Sequence, residues 1–370
     1  MFTSRRIATM GGDKFRDEFS LAFDGIDDHI RIPSTTYNIH NSTHSFVFWV
    51  KRNSITSWDV LLGSAAGAHN FILFDTDGGD RLIIEGDDDD NAIGACSVVA
   101  GRWHHMVIVT NGDGTVAMYQ DGVSISVSYD DGSIGSDMTV DSIGGNHAVL
   151  CLSGNIFEIA IYNSALSASQ VKTLYNGREP YNHKEGIATG NLTAWYRMGD
   201  GVHDKRIDNV VTNEVDISVG ADIVVNGDFA TGDFTGWTSQ GGDISVAGGG
   251  VKFVCPADGS NVYLVSPTAV EGAAYEITYD VLDVSSTGTH SLVFQGATTP
   301  GNIDIPGTLT GDSPSTNNKI TWFATTTSIA IKRGGNDIDV TLDNISMKKL
   351  GDNTGIKTNM DSNSITGDTP

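Results

Sequence analysis

The chain is poor in cysteine, basic residues, glutamate and long apolar runs, and each shortage excludes something. Three cysteines in 370 residues, Cys96, Cys151 and Cys255, are scattered and odd in number. A disulfide framework is therefore excluded, and buried, inert thiols are expected. No stretch approaches the ~18 consecutive apolar residues of a membrane helix, so membrane insertion is not expected. Lys and Arg total 22 against 46 Asp and Glu, a net charge of −24. No basic cluster longer than two breaks that field, and a surface of this sign repels phosphate, which excludes nucleic acid as a partner. The opening Met1–Asp13 lacks the apolar run and small-residue cleavage site of a secretory signal, which predicts a protein not exported by that route. Heptads, collagen triplets and β-helix periods are missing too, so no fibrous shaft is expected.

What is present is aspartate: 38 Asp against 8 Glu. Asp disfavours helix, favours turns and offers hard oxygens, which predicts loop-rich β structure with calcium as the candidate cofactor. Glycine and proline, 44 and 8, stay well below the ~25–30% of low-complexity chains, so the chain folds. Its length exceeds the ~250–300 residues one core sustains, and two domains follow. Phe46–Val50, Phe71–Phe74 and His105–Thr110 read as strands rich in aromatic and β-branched residues. Asp121-Gly122 offers the positive φ angles of a tight hairpin between Val116–Gln120 and Val123–Val127. One helix is expected over Ala168–Tyr175, with Ser167 and Gln170 as a capping box and Gly177 as terminator.

Five blocks in order carry a family likeness: Ser20–Pro33 (SLAFDGIDDHIRIP), Phe46–Lys51 (FVFWVK), Gly101–Val107 (GRWHHMV), Tyr119–Gly122 (YQDG) and Gly154–Leu166 (GNIFEIAIYNSAL). This region, about residues 19–178, resembles the laminin-G-like, concanavalin A-like lectin/glucanase superfamily. The resemblance implies a two-sheet antiparallel jelly-roll sandwich. It does not imply catalysis. Retaining glycosidases need two carboxyl groups about 5–5.5 Å apart, whereas Glu158 has Ile156 and Ala160 as its same-face neighbours. A structural role is expected for Glu158. His104 and His105 point to opposite faces of one strand, and no His-x-His or Cys-x-x-Cys spacing occurs, so zinc is not indicated. Asp75, Asp77, Asp80 and Asp87 are candidate calcium ligands in Asp-rich loops, although Asp80 and Gly86 stand where an EF-hand needs Gly and Glu.

The remaining segments are an arm over 1–18, a connector over 179–220, a second domain over 221–350 and a polar tail over 351–370. In the connector, Leu192–Met198 reads as a strand packing back on the first sandwich. The connector block Asn191–Gly201 and the opening Met1–Glu18 resemble structural proteins of tailed phages of marine bacteria. The second domain opens with Asn226–Trp237 and closes with Val340–Met347, which resemble the first and last strands of carbohydrate-binding-module jelly rolls. That resemblance implies a structural calcium near the paired ends, with Asp228 and Asp343 as candidates, although Ala230 stands where an acidic ligand is common. Trp237 and Trp322 are expected in the core, and Tyr263 is the candidate glycan-stacking ring. The tail has little that is apolar beyond Ile356, Met360 and Ile365, so alone it should be disordered. Arm and tail are expected to dock on neighbouring molecules.

The expected fold is all-β: two antiparallel β-sandwich (jelly-roll) domains in tandem. The leading functional expectation is a non-enzymatic phage virion surface protein, a capsid decoration or tail-fibre component. It would be made in the host cytoplasm, partnered by other virion proteins and copies of itself, and would have weak affinity for a host-surface glycan. A bacterial lectin or adhesin, and a glycoside hydrolase with its binding module, are the alternatives.

Overall fold

The computed structural model describes residues 15, 17–55, 58–64, 69–76, 79–146, 150–200, 210–211, 213–215, 218–241, 244–255, 263–265, 268–295, 302–324, 326–327, 330–351, 354–358, 360 and 364–370. The first region contains β1 (Ser20–Asp24), β2 (His29–Tyr37), β3 (Thr43–Arg52), β4 (Asp59–Gly63), β5 (Phe71–Asp75), β6 (Arg81–Glu85) and β7 (Asn91–Ala95). It continues with β8 (Trp103–Asn111), β9 (Val116–Gln120), β10 (Val123–Ile125), β11 (Val127–Tyr129), β12 (Met138–Ile143), β13 (Ser153–Tyr162), α1 (Ala168–Tyr175), β14 (Leu192–Tyr196) and β15 (Val210–Val211). The second region contains β16 (Val219–Asp222), β17 (Thr238–Gln240), β18 (Ile244–Ala247), β19 (Gly250–Cys255), β20 (Tyr263–Val265) and β21 (Ala274–Val284). It ends with β22 (Leu292–Gln295), β23 (Asn302–Asp304), β24 (Ser315–Phe323), β25 (Ala330–Arg333) and β26 (Ile338–Leu350), after which come β27 (Gly355–Thr358) and β28 (Ile365–Thr366).

Each region makes an antiparallel sandwich. The back sheet of the first runs β10-β9-β8-β3-β13-β1-β28, with β14 also on β13, and the front sheet runs β11-β7-β6-β5-β4-β12-β2-β27-β15. Alternation sends Phe46, Phe48 and Val50 of β3 inward to meet Ile72 and Phe74 of β5 and Leu82 and Ile84 of β6. The opposite face of β3 carries Val47 and Trp49, which are roofed by α1 and the connector: Val171, Leu174 and Trp195 pack on Val47, and the Tyr175 ring stacks on Trp49 at 5.7 Å. The back sheet is thus covered on both faces. The helix starts on the expected capping box of Ser167 and Gln170, while its left-handed cap is Asn176 at φ 47°, one residue before the expected Gly177. The β9–β10 hairpin turns at Asp121 and Gly122, both with positive φ, as a two-residue primed turn requires.

In the second sandwich one sheet runs β18-β19-β26-β21-β24 with β16 on β26, and the other runs β17-β20-β25-β22-β23. Trp237 and Trp322 are both in its core, beside Phe229, Tyr275 and Phe294. The opening motif is a series of turns rather than a strand. Asn226 and Phe229 adopt positive φ, and Phe229 stacks on Trp237 at 5.8 Å.

The tail corrects an expectation. Instead of awaiting a neighbour, it completes the first sandwich: β27 pairs with β2, setting Ile356 opposite Arg31, and β28 pairs with β1, setting Ile365 opposite Leu21. Asp368 then accepts a hydrogen bond from the Trp103 indole at 3.1 Å and pairs with Lys51. Ile356 also packs with Ala274, Leu350 and Phe323 of the second sandwich, and the Arg31 guanidinium lies 5.3 Å over the Phe323 ring. Of the arm, Arg5 and Arg6 lie outside the described residues; Phe15 packs on Trp195 at 5.7 Å, again within the chain.

Candidate functional site

The outer face of the front sheet carries a cleft. Because β5, β6 and β7 send their even-numbered residues into the core, their odd-numbered residues line the outer surface in register. Asp75 stands opposite Arg81, Leu73 opposite Ile83 and Phe71 opposite Glu85; Ile83 continues to Ile93 and Glu85 to Asn91. The result is an ion pair at one end, an apolar floor in the middle and a polar row at the other end. A cleft of about 790 Å³ lies over this surface, within the ~300–1,000 Å³ span of ordinary ligand pockets.

Trp58 forms one wall. It adopts φ 68°, a backbone state that costs a non-glycine residue on the order of 1–3 kcal/mol and that gathers at binding sites. Its backbone N–H donates to the Phe74 carbonyl at 2.9 Å, and its ring meets Phe71 edge-on at 6.5 Å. The residue is 47% exposed and lines the cleft.

The polar end is built by the loops. Asn70 donates its backbone N–H to the Gly86 carbonyl at 3.0 Å and its side-chain amide to Asp87 at 3.0 Å, which holds His69 beside the end of β6. A Cβ at Gly86 would lie 2.3 Å from Ser136 Oγ and 2.8 Å from the Asp137 carbonyl, so glycine is required for this close approach. His69 pairs through Nδ1 with buried Glu85. Burial pushes the Glu85 carboxyl up against the pull of His69, and the hydrogen bond to Glu85 pushes the His69 imidazole up. The Asn91 amide donates to Asp130 at 3.2 Å.

Of the residues expected to bind calcium, Asp75 reaches the cleft, where it pairs with Arg81. Asp80 instead accepts from buried Arg52 at 3.1 Å and from the Val98 N–H at 2.6 Å; Arg52 also binds Asp59 at 2.6 Å. Asp87 is held by Asn70, and Asp77 lies outside the described residues. Asp75, Asp80 and Asp87 are thus not gathered into one ligand set. Tyr263 is half-buried on β20 of the second sandwich, away from the cleft on the first. As for Asp343, its Oδ1 is buried with no hydrogen-bond partner, and burial, with Asp280 and Asp228 nearby, pushes its carboxyl up. Asp280 was not singled out from sequence; the β21–β26 register places it directly opposite Asp343.

Glu158 is sealed beneath the connector. One carboxylate oxygen lies 3.3 Å from His183 Nε2, the other accepts from the Trp195 indole at 3.0 Å, and the residue is 1% exposed. Sequence reasoning missed Trp58, His69, Glu85 and Asn91 as site residues. The signal was faint: Phe71–Phe74 and Leu82–Ile84 are continuous apolar runs, which mark strands without saying which residues face outward.

The first sandwich thus has one sheet roofed by α1 and the connector and a cleft on its other sheet. Residues 24–172 match a family model described as the concanavalin A-like lectin/glucanases superfamily. Among solved structures, a heptameric SAP-like pentraxin from Limulus polyphemus is 15% identical, with 43% of this chain and 82% of that one covered and a TM-score of 0.33. Domain 4 of an extracellular arabinanase from Geobacillus stearothermophilus, in complex with arabinotriose, is 21% identical, with 42% and 71% covered and a TM-score of 0.31. The carbohydrate-binding module of a Ruminococcus gnavus sialidase, bound to α2,3-sialyllactose, is 12% identical, with 43% and 100% covered and a TM-score of 0.31. No curated protein matches the chain.

Proposed function

We propose that the protein is a non-enzymatic glycan-binding component of a phage particle surface, and that the cleft on the outer face of the front sheet receives the glycan. The observation that carries the binding reading is the combination in one cleft of the exposed Trp58 ring, the Phe71, Ile83 and Ile93 floor, and the Arg81, Glu85 and Asn91 polar groups. An aromatic face suits the C–H surface of a sugar ring, while carboxylates, amides and guanidinium exchange hydrogen bonds with its hydroxyls. The sealing of Glu158 supports binding without hydrolysis. The particle context is supported by the resemblance of the opening and connector blocks to phage structural proteins.

A glycan array probed with the full chain should show selective binding, and incubation of the bound glycans with the chain should release no reducing sugar. Turnover lost in Glu85→Gln would place the protein among the hydrolases. For the particle context, mass spectrometry of purified virions should find the chain, and its absence from them would remove that half of the proposal.

Calcium belongs to the second sandwich in this reading. Asp228, Asp280 and Asp343 would hold it, tying the opening turns to the closing strand without any chemical step. Ligand that binds only the folded state at a hundredfold excess over Kd adds about 2.7 kcal/mol. Melting of the second sandwich should therefore rise in calcium and fall in EDTA; identical curves would remove the ion from this site.

A further inference from the structure

His69, Glu85 and Asp89 come from three separate segments: the loop before β5, the end of β6 and the β6–β7 loop. One ligand atom from each lies within 4.8 Å of the other two. Glu85 is buried, His69 is half-buried and Asp89 is exposed, so the group opens toward the cleft it helps to line. Two features make a resting set of this composition costly. The Glu85 and Asp89 carboxylates are like charges at close range, and like charges so placed destabilise one another, with the His69 imidazole, paired to Glu85, as the counterweight. Arg81, the cleft's guanidinium, is engaged by Asp75 at the far end. Beside the group, the buried Asn91 Oδ1 has no hydrogen-bond partner, while the amide nitrogen of Asn91 orients the Asp89 carbonyl at 3.3 Å and Asp130 at 3.2 Å.

We propose that His69, Glu85 and Asp89 form a zinc site at the polar end of the cleft, with an open coordination position facing the cleft. An imidazole nitrogen with carboxylate oxygens suits zinc, and three protein ligands plus one open position is the usual arrangement of an accessible zinc ion. Calcium prefers six to eight oxygens and gains little from imidazole. The site was invisible to motif reasoning because no His-x-His or Cys-x-x-Cys spacing is involved. Antiparallel pairing of β5 with β6 brings together residues 16 apart, His69 and Glu85. The proposal does not require a glycan in the cleft.

The test is calorimetric titration of zinc chloride into the full chain after chelator treatment, alongside His69→Gln, Asp89→Asn and the remote control Asp24→Asn. His69 and Asp89 lie on loops, so these variants should fold, which unchanged circular dichroism would verify. The expected result is one zinc per chain, weakened at least about tenfold in both site variants and unchanged in the control, with millimolar calcium failing to displace it. Absence of stoichiometric zinc binding overturns the proposal and leaves His69 as a hydrogen-bonding partner of Glu85. Equal affinity in His69→Gln, or displacement by calcium, overturns it as well.

Discussion

His105 shows how far burial alone can change a residue's chemistry. Its ring sits 5.0 Å from Trp49 and 5.9 Å from Tyr175, and both ring nitrogens are buried without hydrogen-bond partners. Burial pushes its pKa down to about 3. In the unfolded chain the imidazole takes up a proton near pH 6.5, while in the folded chain it stays neutral until about pH 3. Between those values the unfolded state binds the extra proton, so stability falls as pH falls, by about 1 kcal/mol per pH unit from this group. Above pH 6.5 the group adds no pH dependence. His105→Phe keeps an aromatic ring and removes the titration, so its urea-unfolding stability should decline less steeply than the wild type between pH 6.5 and 4. Parallel profiles would show that His105 is not held neutral. Trp58 shows another residue-scale feature, an uncommon positive-φ backbone state at a half-exposed residue lining the cleft.

The elements divide by the range of the interactions that define them. The β9–β10 hairpin and α1 are encoded in a few adjacent residues, Asp121-Gly122 and Ser167-x-x-Gln170, and were legible from sequence. β14 was legible too, because Leu192–Tyr196 is more apolar than a free linker, and it pairs with β13. The tail was not. Ile356, Met360 and Ile365 are visible as apolar residues, but they are too sparse to form a local period, and their partners in β1 and β2 lie more than three hundred positions away. The cleft was only partly legible for the same reason: Phe71–Phe74 reads as a strand, but its continuous apolar run does not say which residues face outward, and the loops that bring up Trp58 and His69 follow from long-range pairing. Removing residues 352–370 strips both added strands and uncovers β1 and β2. Burial of two isoleucines supports a loss of about 2 kcal/mol or more, a fall in Tm of roughly 4–8 °C for the first sandwich. The same pairing predicts that residues 355–368 resist limited proteolysis in the dilute monomer. An unchanged Tm, or digestion of the tail at the rate of a free peptide, would contradict its incorporation into the first sandwich.

At the scale of the whole molecule, the chain leaves the first sandwich for the second and then returns to it through β27 and β28, so the second domain is tied to the first at both ends. Ile356, packed with Leu350 and Ala274, sits where the two meet. Net charge of −24 favours partners that are neutral or cationic, and neutral glycans meet that condition. One sheet face is roofed by α1 and the connector while the other carries the cleft beside Trp58, and the proposed binding surface rests on this asymmetry. The decisive measurement is calorimetric titration of the strongest glycan found on the array into the wild type and into Trp58→Ala. Loss of a stacking ring should weaken binding by about 1–3 kcal/mol, roughly five- to two-hundredfold, with circular dichroism unchanged because the residue is half exposed. Equal affinity in the two proteins would show that the glycan binds elsewhere and that the outer face of the front sheet is not the recognition surface.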